Sequence, residues 1–302
     1  MAATGGGEAQ EEGTAFTVGG RLIVADVRGE PTARPTVVFE AGLGGFAEQW
    51  RHVQTAVAGR ARTIGYDRAG MGRSEPGPHP RSPEVLVDEL RQLLETAGVA
   101  PPYVLVGHSY GGLLVRCFAG RHPDLIAGLV LVDASHELQM ARARMPMWLL
   151  ALTRTAYRVE GVLARWPGLA RVRGRRAAAR LGLTAEEWER HVELANTRAS
   201  FDTMRAETAQ FASVFGPDSV VPADAGDLPL RVVAAGRSVA RSSSALNRIH
   251  QRNQAELAQL STQGVMVTVP EATHLSLLFD LRYAAVVADT VLDLLADLGD
   301  EG

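Results

Sequence analysis

Val104-Leu105-Val106-Gly107-His108-Ser109-Tyr110-Gly111-Gly112 is the stretch that decides how this chain folds. An apolar, β-branched run enters Gly-x-Ser-x-Gly, and Gly112–Ala119 continues with helical composition. Pro101-Pro102 opens the segment, so strand, sharp turn and helix follow in that order. This is the nucleophile-elbow pattern, in which a strained turn lifts the serine hydroxyl clear of the sheet edge. Glycine is needed at both flanks because a Cβ would collide with the adjoining strand and helix. A serine in an ordinary βα turn is the bland alternative. Held at a helix N-terminus beside a base, the same hydroxyl becomes a nucleophile.

The base is sought among eight histidines. His274 alone follows a strong late strand, Val265–Val269, through the short turn Pro270-Glu271-Ala272-Thr273, and precedes a final amphipathic helix over 282–298. A capping or surface histidine is the competing reading. His108 lies inside the elbow, but adjacency to Ser109 directs the two side chains apart. His122 reads as a loop residue, and His136 is a candidate for the pocket wall. The base needs a buried carboxylate to hold its tautomer. The loop after the seventh strand, Leu230–Ala235, offers none, because no Asp or Glu occurs from Leu228 to Ala255. Asp133 ends the apolar run Leu129–Val132 and becomes the candidate acid, against the alternative of a turn-capping aspartate. The chain order is then Ser109, Asp133, His274.

Two backbone N–H groups are expected to hold the oxyanion: that of Tyr110, and that of Leu43 in the loop Ala41-Gly42-Leu43-Gly44-Gly45-Phe46 after the strand Thr36–Glu40. Gly42 and Phe46 are further candidates for the pocket lining. Gly42–Ala47 also matches G-x-G-x-x-A, with Asp67 where a ribose-binding acid could stand. That dinucleotide reading leaves the elbow and His274 unexplained. It also requires a first strand where a hairpin through Gly19-Gly20 already precedes.

Taken together, Glu40–Gly45, Tyr66-Asp67-Arg68-Ala69-Gly70-Met71-Gly72-Arg73-Ser74, the Ser109 elbow, Leu131-Val132-Asp133 and the His274 turn occur in one characteristic order. The chain resembles the α/β-hydrolase superfamily over nearly its whole length. The resemblance implies a mostly parallel eight-stranded sheet with helices on both faces and a helical lid inserted after strand 6. It departs at Ala41-Gly42, where many members carry His-Gly and thus a side chain that orders the oxyanion loop. Members with the acid after the sixth strand include dehalogenases, which, like epoxide hydrolases, use an aspartate nucleophile; Ser109 argues against both.

Composition sets the outer bounds. A chain of 302 residues suits one globular domain with an insertion. A net charge of −3 gives no nucleic-acid signal, and no apolar run approaches a membrane span. Residues 1–14 are expected to form a disordered tail without an apolar leader segment, which points to the cytoplasm. The single Cys117 reads as a small core residue. No H-E-x-x-H and no cysteine pair occur, so neither metal nor organic cofactor is expected. Strands are expected near 15–19, 21–27, 36–40, 62–66, 103–107, 127–133, 229–235 and 264–269. Helices are expected near 47–58, 83–97, 110–120, 244–262 and 282–298. The core is then 15–135 with 228–302, and 136–227 is a helical cap, in which Met145 and Trp148 are candidates for the pocket wall or entrance.

That cap carries Arg142, Arg144, Arg154, Arg158, Arg165, Arg171, Arg173, Arg175, Arg176 and Arg180 against Glu160 alone. Apolar residues interleave at roughly helical spacing. Two readings stand: a solvated face paired with acids such as Glu186, Glu187 and Glu189, which is the ordinary fate of such a run, or peripheral contact with anionic lipid. The expected activity is hydrolysis of carboxylic esters through an acyl-enzyme on Ser109. Lactones, thioesters and the carbon–carbon bond of a β-diketone are open to the same triad. A ligand-binding protein on a hydrolase scaffold is the alternative from another class.

Overall fold

The computed structural model describes residues 13–32, 34–166, 168, 183–237 and 244–300. Thr14–Val18 (β1) and Arg21–Arg28 (β2) form the opening hairpin, and Gly19 and Gly20 turn it with φ of 53° and 78°. Positive φ at both central residues matches the right-handed strand twist, and glycine supplies it without strain. The remaining strands are Thr36–Glu40 (β3), Thr63–Tyr66 (β4), Tyr103–His108 (β5), Ile126–Val132 (β6), Leu230–Arg237 (β7) and Gly264–Thr273 (β8). They make one eight-stranded sheet in the order β1-β2-β4-β3-β5-β6-β7-β8. The β1–β2 and β2–β4 pairs are antiparallel and all others parallel.

Helices cover both faces. Arg51–Ala58 (α1), Ser276–Phe279 (α10) and Leu281–Asp300 (α11) pack on one; Pro83–Thr96 (α2), Tyr110–Arg121 (α3) and Ser244–Ala258 (α9) pack on the other. Their apolar spacing dictates this. Leu86, Leu90, Leu93 and Leu94 of α2 form one stripe, and Ala284, Val287, Ala288, Val291, Leu294 and Leu295 of α11 another. The central β5 is buried at every residue, as expected of a parallel strand covered on both faces. Each such leucine or valine contributes about 1.5–3 kcal/mol of burial.

Between β6 and β7 the described residues form Gln139–Arg142 (α4), Met147–Leu163 (α5), Ala185–Ala195 (α6), Arg198–Thr208 (α7) and Phe211–Val214 (α8). Arg171, Arg173, Arg175, Arg176 and Arg180 lie outside the described residues. Thr184 and Glu187 form a reciprocal capping box at the start of α6, and the Thr197 hydroxyl accepts from Ser200 N–H at the start of α7. Gly161 of α5 lies close against α7: a Cβ there would stand 3.2 Å from Phe201 Cβ.

Most boundaries shift by a residue or two from the sequence reading, the helix expected over 244–262 ends at Ala258, and two further differences have a local cause. The expected helix over 47–58 opens as a 3₁₀ turn, Ala47–Trp50, before α1. The last strand does not stop at Val269 but continues to Thr273. Pro270 would break an interior strand, yet β8 is an edge, where a missing donor costs no ladder bond. A register shift between Ala235 and Arg237 of β7 accommodates the extension, and Arg237 pairs with Thr273.

Candidate active site

Ser109 sits between the end of β5 and the start of α3 with φ 54° and ψ −121°. That left-handed backbone is costly for a non-glycine residue and is held by its surroundings. Ser109 N–H donates to Val132 O (3.2 Å), and Ser109 O accepts from Gly112 (3.0 Å) and Ser135 (2.9 Å). The flanking glycines are sterically required. A Cβ on Gly107 would stand 2.6 Å from Gly111 O, and one on Gly111 2.4 Å from Glu40 O.

The histidine and acid meet across the carboxyl edge of the sheet. Asp133 follows β6 with φ 42°, and its Oδ2 accepts from His274 Nδ1 at 2.6 Å. An Nδ1–H that donates to a carboxylate leaves the Nε2 lone pair free to take a proton. Ala235 N–H donates to Asp133 Oδ1 (2.8 Å). A third group was not foreseen from sequence. His250 of α9 places Nε2 3.0 Å from Asp133 Oδ1, so one carboxylate lies between two imidazoles. Burial alone would raise the Asp133 carboxyl, but the two histidines outweigh it and hold it below the ordinary aspartate range. His250 loses charge stabilisation to burial but gains more from Asp133, so its pKa stands above the usual histidine value.

His108 is also part of this cluster. Its Nε2–H donates to the backbone carbonyl of His274 (3.1 Å), and the two rings lie 4.4 Å apart at 33°. Full burial and the neighbouring imidazole push it down to about 3, so it stays neutral. A Cβ on Gly42 would stand 3.1 Å from Ser109 Cβ and 3.2 Å from His108 Nδ1, which brings the Gly42–Leu43 peptide beside the serine. Among the described residues no hydrogen bond engages the Leu43 N–H. Tyr110 begins α3, where the first N–H groups have no intrahelical partner.

The ordering side chain missing at Ala41 is replaced from another part of the chain. Arg68 is buried and makes five hydrogen bonds with its five N–H groups. They run to Glu40 Oε1 (2.6 Å), Ala41 O (2.6 Å), Gly42 O (2.8 Å), and Glu207 Oε1 (3.1 Å) and Oε2 (3.2 Å). Tyr66 hydroxyl donates to the other oxygen of Glu40. Burial disfavours the charge on Arg68, but Glu207 and Glu40 together hold its pKa above the ordinary value. Because a peptide is planar and trans, turning Gly42 C=O toward Arg68 turns the Leu43 N–H the opposite way.

Glu207 comes from α7, so this network also fastens the β6–β7 insertion to the core. Met204 of the same helix rests on Gly44, where a Cβ would stand 2.6 Å from its sulfur. Among the described residues Glu187 pairs with Arg51 of α1 and, at 3.8 Å, with His52. Phe46 packs against His191 of α6 (5.3 Å between rings), which is flanked by Trp188 and Phe279 and pushed down to about 4 by burial.

The other sequence candidates are dispersed. His136 is buried, accepting from Leu138 N–H (3.0 Å) with Nε2 3.3 Å from Glu256. Met145 and Trp148 are 41% and 63% exposed. Asp67, the ribose-binding candidate of the dinucleotide reading, is fully engaged by Ala47 N–H (2.8 Å) and by Arg73 N–H and Nε (both 2.9 Å). A cleft of about 560 Å³ lies away from the serine, along Leu228–Leu230, Ile126 and Arg116. Ligands of parallel sheets bind at the opposite, carboxyl ends of the strands.

Comparison with known proteins agrees with this fold. A family model for the alpha/beta hydrolase fold matches residues 35–200, and the chain belongs to that family. Curated relatives match over short stretches. An uncharacterized protein, YqjL, of Bacillus subtilis is 39% identical over 98 residues, 32% of this chain and 39% of that one. A human (lyso)-N-acylphosphatidylethanolamine lipase is 33% identical over 117 residues, 37% of this chain and 34% of the relative. The chain thus spans well under half the length of these relatives. Solved structures align almost end to end. A thermophilic esterase from Thermogutta terrifontis gives a TM-score of 0.67 at 19% identity, over 95% of this chain and 99% of that one. An epoxide hydrolase from Bacillus megaterium gives 0.71 at 17%, over 94% and 100%. At such identities the likeness speaks for the fold.

Proposed function

We propose that this hydrolase is a serine esterase that cleaves carboxylic esters through an acyl-enzyme. Ser109 attacks the carbonyl carbon while His274 Nε2 takes the hydroxyl proton. Asp133 holds His274 in the required tautomer and stabilises the imidazolium. The Leu43 and Tyr110 N–H groups receive the oxyanion. The carbonyl then reforms, the leaving alcohol departs with the proton from His274, and water activated by His274 releases the acid. Helices α4–α8 serve as the cap over this site, with Met204 and Phe46 bordering the acyl side.

The observation that carries the reading is the 2.6 Å bond from His274 Nδ1 to Asp133 on the sheet edge where the strained Ser109 stands. A serine at the elbow, rather than an aspartate, favours esters over epoxides, for which a carboxylate nucleophile would be needed. Intact-mass labelling with a fluorophosphonate tests it. One adduct is expected on the wild type and none on Ser109→Ala. A folded wild type that takes no adduct and hydrolyses no ester in a panel of acyl lengths would refute the proposal.

A further inference from the structure

Helix α5 buries only one side. Leu149, Leu150, Thr153, Tyr157, Glu160, Gly161 and Ala164 turn inward. The opposite side carries Trp148, Leu152, Thr155, Val159, Val162 and, one turn beyond the helix, Trp166. The first five are spaced four, three, four and three, so they form one straight stripe along a helix about 25 Å long, and Trp166 follows its end. Five of the six are large apolar residues, exposed by 63% at Trp148, 55% at Leu152, 52% at Val159, 49% at Val162 and 55% at Trp166. A stripe like this is costly to leave in water.

The flank of the stripe identifies its occupant. Arg154, Arg158 and Arg165 share one side of the helix at spacings of four and seven, all exposed. None has a carboxylate among the described residues within ion-pair reach. A second copy of α5 would bring no acid to meet them, because its only acid, Glu160, lies on the inward side. A bilayer surface with anionic headgroups meets both features at once: acyl chains take the apolar stripe, phosphates take the arginines, and tryptophans suit the boundary between them. Among the described residues no helix is long and apolar enough to cross a membrane, so α5 would lie on the surface.

We propose that α5 is a membrane-docking helix that seats the cap on an anionic lipid surface. This goes beyond the esterase reading and does not depend on it, since docking is read by binding alone. The inward side of α5 packs on α7, whose Met204 and Glu207 reach the oxyanion loop, so the docked helix and the serine belong to one connected unit.

The full chain is mixed with vesicles of phosphatidylcholine, with and without phosphatidylglycerol, and sedimented. Binding is expected only with phosphatidylglycerol and should weaken with salt. Leu152→Asp with Val159→Asp should lower partitioning at least tenfold, and Arg154→Gln, Arg158→Gln and Arg165→Gln together on the order of a hundredfold. Both variants should keep the wild-type far-ultraviolet circular dichroism and urea midpoint without vesicles, which confirms that they fold. Three outcomes would overturn the proposal. The wild type stays in the supernatant, equal binding to neutral vesicles occurs, or both variants still bind anionic vesicles as the wild type does. A wild-type dimer that dissociates in the aspartate variant, without vesicle binding, would assign the stripe to a second copy instead.

Discussion

Replacing Arg68 by lysine asks whether the guanidinium only fills a buried charge site or also aims the oxyanion donor. Its five N–H groups serve five acceptors, two of them the carbonyls of Ala41 and Gly42. Lysine has three donors on one atom, so at least two acceptors lose their partner. Charge-assisted hydrogen bonds are worth about 1.5–3 kcal/mol each, so stability should fall by about 3–6 kcal/mol if nothing relaxes. The catalytic effect is separable. If Gly42 C=O is released, the Leu43 N–H is free to rotate away, and losing one such donor costs about 100- to 1000-fold in kcat. KM should change little, because a ground-state carbonyl gains less from that donor than the oxyanion does. The assay is steady-state hydrolysis of a nitrophenyl ester, corrected for the folded fraction from urea titration. A variant that loses stability but keeps kcat per folded molecule would refute the aiming role and leave Arg68 as a structural ion.

Other perturbations read different parts of the site. Asp133→Asn should lower kcat by about four orders of magnitude while the protein stays folded, because an amide that donates toward His274 enforces the wrong tautomer; turnover near wild type would remove Asp133 from the mechanism. His250 has a raised pKa in the fold, so its contribution to stability is complete below the free value of about 6.5 and is lost as pH rises through the folded value. Urea titrations of the wild type and His250→Gln should therefore differ most near pH 5.5 and converge in mildly alkaline buffer; a gap that widens with pH would contradict this sign. The Cys117 thiol is pushed up to about 12 by burial, so a disulfide reagent at neutral pH should titrate it only after denaturation.

Much of the architecture was legible in the chain, for a local reason. The elbow, the Gly19-Gly20 turn and the apolar runs of β3, β5 and β6 encode their conformation in neighbouring residues, and the strand–helix alternation then leaves few topologies. Ser109, Asp133 and His274 could be singled out as candidates because each ends or follows such a run. The remainder depended on packing between distant segments. His250 lies 117 positions from Asp133, and nothing in its neighbours signals that α9 will carry it to the carboxylate. Glu207 reaches Arg68 across 139 positions, and a glutamate on a cap helix looks from sequence like any solvated one. The end of β8 was missed because Pro270 ordinarily stops a strand, and only its place at the sheet edge permits it to continue.

The two ways in which the β6–β7 insertion is fastened give it unequal grip. Helix α7 is held by Glu207 on Arg68, both almost wholly out of water, so lifting it would strand charges in the interior. Helix α6 is held to α1 by Glu187 and Arg51, a pair still partly in water and open to screening. The insertion is thus built like a flap sewn along one seam and merely buttoned along the other. Any loosening of the insertion would therefore begin on the buttoned side, beside α1, while the sewn seam keeps the Gly42–Leu43 peptide in register with Arg68.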